Sequence, residues 1–446
     1  MYKKMKLMSK KNNFVAAIDI GTTKIVAIIG KKNENGKLEI LGMGKSPSKG
    51  VKRGVVFNIE ETVNAIQTAV MQAEEMAGVK AGKVFVGIAG QHIKSVRNRG
   101  YINRDSYDAE ITRDDVDALI ADMYKIPIDA GEEIIHVLPQ SYIVDNEVGV
   151  KNPIGMFGKR LEANFHIVIG QIASANNIKK CINRVGLEVN NLVLEPLASS
   201  SAVLSEDEKE VGVALVDIGG GTTDIAVYYD GIIRHTAVIP FGGNVVTYDI
   251  KEGCSILERQ AEALKVQFGS SLAEMAKEEE VVTVPGINGR DPKEISFKNL
   301  AYIIQSRMEE IIGAIYFEIE SSGFLDKLGA GIVLTGGGAL LRHLPQLVAF
   351  KTGLDVRIGY PTEHLITDSL KEVNQTMYST SIGLIIKGYE EVESGADWHE
   401  EFTEPEVEEK EEVIEKSVDK KEPRLKPFDG LLKKFGDFFE EKDAKL

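Results

Sequence analysis

Two short segments carry the residues most able to do chemistry. Asp19-Ile20-Gly21-Thr22-Thr23-Lys24 and Asp217-Ile218-Gly219-Gly220-Gly221-Thr222-Thr223-Asp224 share a carboxylate, one or more glycines and two threonines, about 200 residues apart. In each, an apolar β-branched run enters a turn and leaves it as a second run. Glycine lets such a turn bend so that successive backbone N–H groups point inward, a concavity that suits a phosphate. The threonine hydroxyls can add hydrogen bonds to phosphate oxygens, Lys24 can add charge, and Asp19 is placed to hold a water on Mg2+. A plain hairpin would use the same glycine, so the first segment alone is weak evidence. Two such hairpins facing each other could clamp one polyphosphate.

A third segment, Val333-Leu334-Thr335-Gly336-Gly337-Gly338-Ala339, reads as a glycine-rich junction that opens a helix. Gly336, Gly337 and Gly338 would let an adenosine group lie close against the backbone, although a bland strand-to-helix turn has the same composition.

The elements that must position these segments follow from hydrophobic periodicity. From Phe14 to about Lys387, short β-branched runs alternate with amphipathic stretches, the pattern of an α/β protein. FVAAIDIG, KIVAIIGK and LEILGMGK predict three strands; Glu60 to Gly78 predicts a helix with Val63, Ile66, Val70 and Met76 on its apolar face; VFVGIAG predicts a strand. The same theme returns in VGVALVDIGGGTTDIAVYYDGIIRHTAVIP, which predicts an internally duplicated fold. Between the copies, roughly Gln91 to Gly170, lies an insertion with a helix at Thr112 to Lys125 and strands in EIIHVLPQSYIVD and RLEANFHIVIG.

Composition narrows the function. A chain of 446 residues can hold two or more domains. Cys181 and Cys254 stand far apart, which gives no zinc or iron–sulfur spacing and fits a reducing compartment. The basic start MYKKMKLMSKKNN lacks the apolar stretch of a secretory signal, and no run approaches the roughly 20 apolar residues that span a bilayer. Of the net charge of −15, most comes from Glu390 to Glu422, with 15 acids against 4 bases, a solvated linker. Such a balance speaks against nucleic acid as a partner, because that needs clustered cations. After the linker, Phe428, Leu431, Leu432, Phe435, Phe438 and Phe439 recur at helical spacing with Lys433 and Lys434 opposite. That amphipathic helix can lie in the headgroup region of an anionic membrane, or dock on a protein groove.

The three glycine segments, in this order and approximate spacing, resemble the actin, heat-shock chaperone and sugar-kinase superfamily. The stretch IIHVLPQSYIVDNEVGVKNPIGMFGKRLEANFHIV is similar to the extra domain of the FtsA family of division proteins, and KNPIGMFGKRLEA follows that family's pattern closely. The resemblance implies a two-lobed actin-like ATPase fold closing over Mg-ATP, with Asp19 and Asp217 near the metal's waters and Glu195, in LEPLASSSAVL, near the γ-phosphate. It places Gly242 and Gly243 beside the phosphates, and Glu262 and Lys265 at the ribose and adenine. Glu195 could equally be a plain helix-start acid, and Glu262 and Lys265 a solvated helix face. The expected organisation is a basic arm at 1–12; a first lobe at 13–90, 171–207 and 359–390; an inserted subdomain at 91–170; a second lobe at 208–250 and 319–358 with an outer subdomain at 251–318; a linker at 391–423; and the amphipathic helix at 424–442.

The same resemblance implies polymerisation and tethering of the tubulin-like FtsZ to the cytoplasmic face of the inner membrane at the division site, with later division proteins recruited there. The FtsZ C-terminal peptide would bind within 251–318, with Arg307 as candidate contact; Arg307 could equally pair with Glu309 or Glu310 on its own helix. ATP would act chiefly as an assembly switch, with slow hydrolysis at most. Other readings are a superfamily kinase or phosphohydrolase, and an actin-like pilus or cell-shape factor.

Overall fold

The computed structural model describes residues 14–286, 290–366 and 370–394. The predicted basic arm, nearly all of the acidic linker and the amphipathic segment with Phe428, Leu431, Leu432, Phe435, Phe438 and Phe439 lie outside the described residues.

The first lobe starts with strands β1 (Val15–Ile20), β2 (Lys24–Lys32) and β3 (Leu38–Pro47), then the short pair β4 (Val51–Lys52) and β5 (Val55–Val56). Helix α1 (Ile59–Ala77) follows. Asn58 caps its start by accepting the N–H of Glu61, and Gly78 ends it in the left-handed region at φ 66°, where a side chain would be strained. Ile66 and Val70 are buried as the spacing predicted, whereas Met76 is exposed, because α1 turns its last turn's Met76 side to solvent. Strand β6 (Lys83–Ile88) completes this stretch.

The insertion holds β7 (Lys94–Asn103), α2 (Arg113–Met123), β8 (Glu132–Val144), β9 (Glu147–Val150) and β10 (Arg160–Gln171), forming an antiparallel sheet in the order β7-β10-β8-β9. Helix α2 is held at its start by a reciprocal pair of bonds between Thr112 and Asp115. It covers a separate core of Leu119, Leu161, Phe165 and Ile167. The chain returns to the first lobe through α3 (Ile172–Arg184), β11 (Glu188–Leu194), α4 (Glu195–Val203) and α5 (Glu206–Val211).

The second lobe comprises β12 (Val213–Ile218), β13 (Thr223–Tyr229), β14 (Ile232–Ile239), α6 (Gly243–Cys254), α7 (Glu258–Phe268), the hairpin β15 (Val281–Val284) and β16 (Lys293–Ser296), α8 (Phe297–Ser321), β17 (Ile332–Thr335), α9 (Leu344–Thr352), β18 (Val356–Ile358) and α10 (Ser379–Ser394). Helix α10 runs past the predicted start of the linker; Lys32 pairs with Glu393 and Tyr389 donates to the Gly30 carbonyl, which fastens those last turns to β2.

The duplication is visible in topology. One sheet runs β11-β6-β1-β2-β3 and the other β18-β17-β12-β13-β14; in each, an antiparallel trio is extended by two parallel strands. Both faces of each central strand are covered, so β1 and β12 are buried throughout. The outer faces form one core per lobe. The inner faces share a third core with α4 and α10 between the sheets. Each helix follows the last strand of its own half yet packs on the other half's sheet, α4 on β12 and β13 and α10 on β1 and β2. The two helices cross where Gly383 meets Ala198 so closely that a Cβ would overlap the Ala198 carbonyl.

Candidate functional site

Strand alternation aims the two aspartates. In β1, Val15 and Ala17 face the shared inner core, and Asp19 continues that face; in β12, Val213, Leu215 and Asp217 do the same. Both carboxylates are buried, at 8% exposure each. Ser381 on α10 donates to Asp19 at 3.0 Å, while Ser199 on α4 and Thr380 on α10 donate to Asp217 at 2.6 and 3.2 Å.

A fourth acid joins Asp19, Asp217 and Glu195. Asp224 lies directly across the hairpin from Asp217, on the same face, where two like charges repel. It accepts a 3.0 Å bond from Thr222, and its other oxygen is buried without a partner. The motif containing Asp224 was legible, and the tight turn that sets it opposite Asp217 was the signal for its role. Glu195 begins α4 beneath Gly87; a Cβ on Gly87 would lie 3.1 Å from its side chain. Burial raises Asp19 to about 6, against the pull of Lys24, and burial plus the Asp217 charge raises Asp224 to about 8. Burial also raises Asp217, and burial followed by the charges of Asp19, Asp224 and Asp217 raises Glu195 well above the carboxylate range.

Lys24 is the cation beside them. Its ammonium is buried without a hydrogen-bond partner and sits 3.8 Å from the centre of the Tyr378 ring. Burial lowers it to about 8, with Asp19 opposing that shift. Three buried carboxylates and the half-buried Glu195 crowd beside one lysine, an arrangement that a further cation would stabilise. Among the described residues no three His, Cys, Asp or Glu converge to ligate a metal. A Mg2+ carried by a polyphosphate fits that donor set.

The two predicted turns face each other. A Cβ on Gly220 would overlap Thr23 Oγ1, and one on Gly221 would lie 2.5 Å from Thr22 Oγ1. Thr22 Oγ1 also accepts the Gly54 N–H at 3.2 Å. In the second turn the hydroxyls are already engaged: Thr222 donates to Asp224, and Thr223, at the start of β13, turns back to the Phe241 carbonyl at 2.8 Å. Gly219, Gly220 and Gly221 therefore offer backbone rather than threonine hydroxyls.

Between the turns lies a cavity of about 330 Å3, the lower end of the range for small-molecule sites. All three glycine segments line it, with Glu195, Asp224, Glu262 and Lys265. Nothing lies within 4 Å of a Cβ built on Gly337, so the third segment presents open space there. That segment leads into a short 3-10 turn at Gly338–Leu340, and α9 starts only at Leu344. Lys265 Nζ lies 2.7 Å from Glu262 and bonds Thr247 at 2.8 Å and the Gly243 carbonyl at 3.0 Å. Gly243 lines the cavity; Gly242 packs behind it, against the carbonyls of Gly219 and Thr222. Asn244 and Arg342 line the cavity too and were missed, since neither sits in a recognisable motif.

Arg307 is not part of this cavity. Its guanidinium grips Asp249 of α6 through two nitrogens, one at 3.1 Å, and also pairs with Glu310. Glu309 pairs instead with Lys351. The Glu310 pair was foreseeable from helical spacing; the Asp249 pair required α6 and α8 to pack together.

The fold and the sequence both have relatives. A solved structure described as the PilM-PilN type IV pilus biogenesis complex superposes with a TM-score of 0.62 at 13% identity, covering 84% of this chain and 98% of that one. MreB 5 of Spiroplasma citri bound to AMPPNP superposes with a TM-score of 0.51 at 16% identity, covering 86% and 99%. These likenesses establish the two-lobed actin-like ATPase fold. The family model described as "Cell division protein FtsA" matches residues 214–383, and that of the "SHS2 domain inserted in FTSA" matches residues 90–169. Cell division protein FtsA of Pseudomonas aeruginosa is 41% identical over 381 residues, 85% of this chain and 90% of the relative. FtsA of Escherichia coli strain K12 is 37% identical over 383 residues (84% and 90%), and FtsA of Bacillus subtilis 35% over 374 (84% and 83%). Identity at that level along most of both sequences, on an actin-like fold with the inserted domain in place, means that the chain belongs to the FtsA family of cell division proteins.

Proposed function

We propose that this protein binds Mg-ATP between its lobes and uses nucleotide occupancy to control assembly into filaments that tether FtsZ to the cytoplasmic face of the inner membrane at the division septum. The observation that carries the nucleotide reading is the pair of opposed glycine turns around a cavity bordered by buried carboxylates. Backbone amides of both turns, with Thr22, Thr23 and Lys24, hold the phosphates. Asp19 and Asp217 hold waters of a Mg2+ ion, which would neutralise phosphate charge. Glu195 orders water near the γ-phosphate, Glu262 and Lys265 face the ribose and adenine, and the open space at Gly337 receives the adenosine. Hydrolysis, where it occurs, is slow.

Residues 251–318 serve as the docking region for the FtsZ C-terminal peptide. Arg307 reaches a peptide carboxylate only by exchanging it for Asp249 or Glu310. The amphipathic segment at 424–442 anchors the protein to anionic lipid, and filament formation multiplies that weak attachment. Other division proteins join the assembly, and nucleic acid is not a partner.

Two measurements test this reading. Gly220→Val should abolish ATP binding in an equilibrium titration, and unchanged affinity would reject the site. A chain ending before Pro423 should lose co-flotation with anionic vesicles, with or without FtsZ; retained flotation would reject the anchor.

A further inference from the structure

The inserted subdomain meets the second lobe along β7 and β14, where Ser95 donates to the Thr236 carbonyl at 3.3 Å. Beside that contact is a second cavity, about 480 Å3, lined by Arg97 of β7, Arg234 of β14, Gln140 of β8, Asn164 of β10 and Phe324 beyond α8. We propose that this cavity is a binding site for a phosphate dianion or phosphomonoester, and that its occupant bridges the inserted subdomain and the second lobe.

Three observations support it. Arg97 and Arg234 form no ion pair among the described residues; each guanidinium is spent on a backbone carbonyl, Arg97 on Ser322 at 3.1 Å and Arg234 on Tyr229 at 3.2 Å. The carboxylates around them are taken, Asp230 by Lys151, Glu318 by His235, and Glu162 by Arg99 and Arg160. Guanidinium groups left with spare donors match the oxygens of a phosphate.

The second observation is the gathering of like charge. Burial holds Arg234 below the ordinary guanidinium value against the pull of Asp230 and Tyr229, and Arg97 adds a smaller push in the same direction. Burial lowers His166 and His235; the charges of His235 and then Arg97 add to it at His166, and Arg97 adds to it at His235 against the larger opposing pull of Glu318. Asp230 and Glu318 offset part of this positive potential but are held by Lys151 and His235, and an anion in the cavity would offset the rest.

The third is Gln140. Register runs Asn164 to Ser141 and then Phe165 to Pro139, so Gln140 is the extra residue of a β-bulge in β8. Bulges re-aim a side chain. Here the amide nitrogen is buried without a hydrogen-bond partner, and the residue lines the cavity. A buried donor left unpaired is destabilising, and a phosphate oxygen would offset that.

The test is calorimetric titration of the full chain with inorganic phosphate and with glycerol 3-phosphate, at ionic strength matched with potassium chloride. Saturable binding at about 1 mM or tighter is expected. Arg97→Gln and Arg234→Gln should each weaken it about tenfold, and Gln140→Ala should weaken it as well. Gly220→Val, which disturbs only the interlobe cleft, should leave it unchanged. Tighter binding of inorganic phosphate identifies a free anion as the ligand; tighter binding of the ester identifies a phosphomonoester. Absence of saturable binding in the wild type overturns the proposal. So does binding that survives both arginine substitutions or disappears in Gly220→Val.

Discussion

Ser381 on α10 donates a 3.0 Å hydrogen bond to Asp19 on β1, 362 residues away in sequence. Its counterpart in the duplicated half is Ser199 on α4, which donates to Asp217 on β12 at 2.6 Å. Each half thus supplies the helix that holds the other half's carboxylate. The exchange explains how a chain built from two similar units makes one site: the acids converge because α4 and α10 are packed together between the sheets.

The crossing of those helices is a tight spot for the whole molecule. Gly383→Ala would drive a Cβ into the Ala198 carbonyl on the facing helix. Overpacking of this kind costs about 1–3 kcal/mol. The melting temperature should fall by several degrees, and nucleotide affinity should fall with it, since Ser381 and Thr380 sit on the same turn of α10. A melting temperature equal to wild type would mean that the two helices separate easily.

Glycines of the cleft should sort by what surrounds them. At Gly337 nothing lies within 4 Å of an added Cβ, so Gly337→Ala should leave thermal stability of the nucleotide-free protein unchanged while weakening ATP binding. At Gly336 the backbone is left-handed, φ 83°, and a Cβ would strike Asp217, so Gly336→Ala should destabilise the fold itself. Paired melting curves and ATP titrations separate the two effects. Equal ATP affinity in Gly337→Ala would remove the adenosine from that position.

Asp224 gives a pH test. Its folded value is raised to about 8 from an ordinary 3.8, so the fold favours the protonated acid. The associated stability is fully present below pH 3.8 and is lost as the pH rises through about 8. Asp224→Asn keeps a neutral side chain at every pH. The nucleotide-free variant should therefore melt increasingly above wild type as the pH is raised from 5 to 8.5, and saturating Mg-ATP should narrow the gap. A gap independent of pH would show that Asp224 ionises freely in the fold.

Two histidines give the opposite sign at the inserted subdomain. His136 Nε2 accepts the Leu194 N–H at 3.0 Å, and His166 pairs with Thr236 of the second lobe at 2.9 Å. Burial lowers both to about 4. Their contribution is complete above pH 6.5 and is lost as the pH falls towards 4. Hydrogen exchange in β8 and β10 should accelerate over that window before exchange in β1 or β12 does. His166→Gln should flatten the response. Uniform acceleration across the protein would assign the acid sensitivity elsewhere.

Much of this was decided locally. Alternating β-branched residues and glycine-containing turns specify hairpins within about ten residues, so the strands, the two turns and the inward placement of Asp19 and Asp217 could be read from the amino-acid order alone. Thr112 and Asp115, which start α2, are local in the same sense. What needed the tertiary structure depended on partners far apart in the chain: the exchange of α4 and α10, Thr223 turning to Phe241, and Arg307 gripping Asp249. Short-range preferences set the direction of a side chain along its own strand or helix. Which distant group meets it, and whether its charge is neutralised there, follows only from how the packed layers come together.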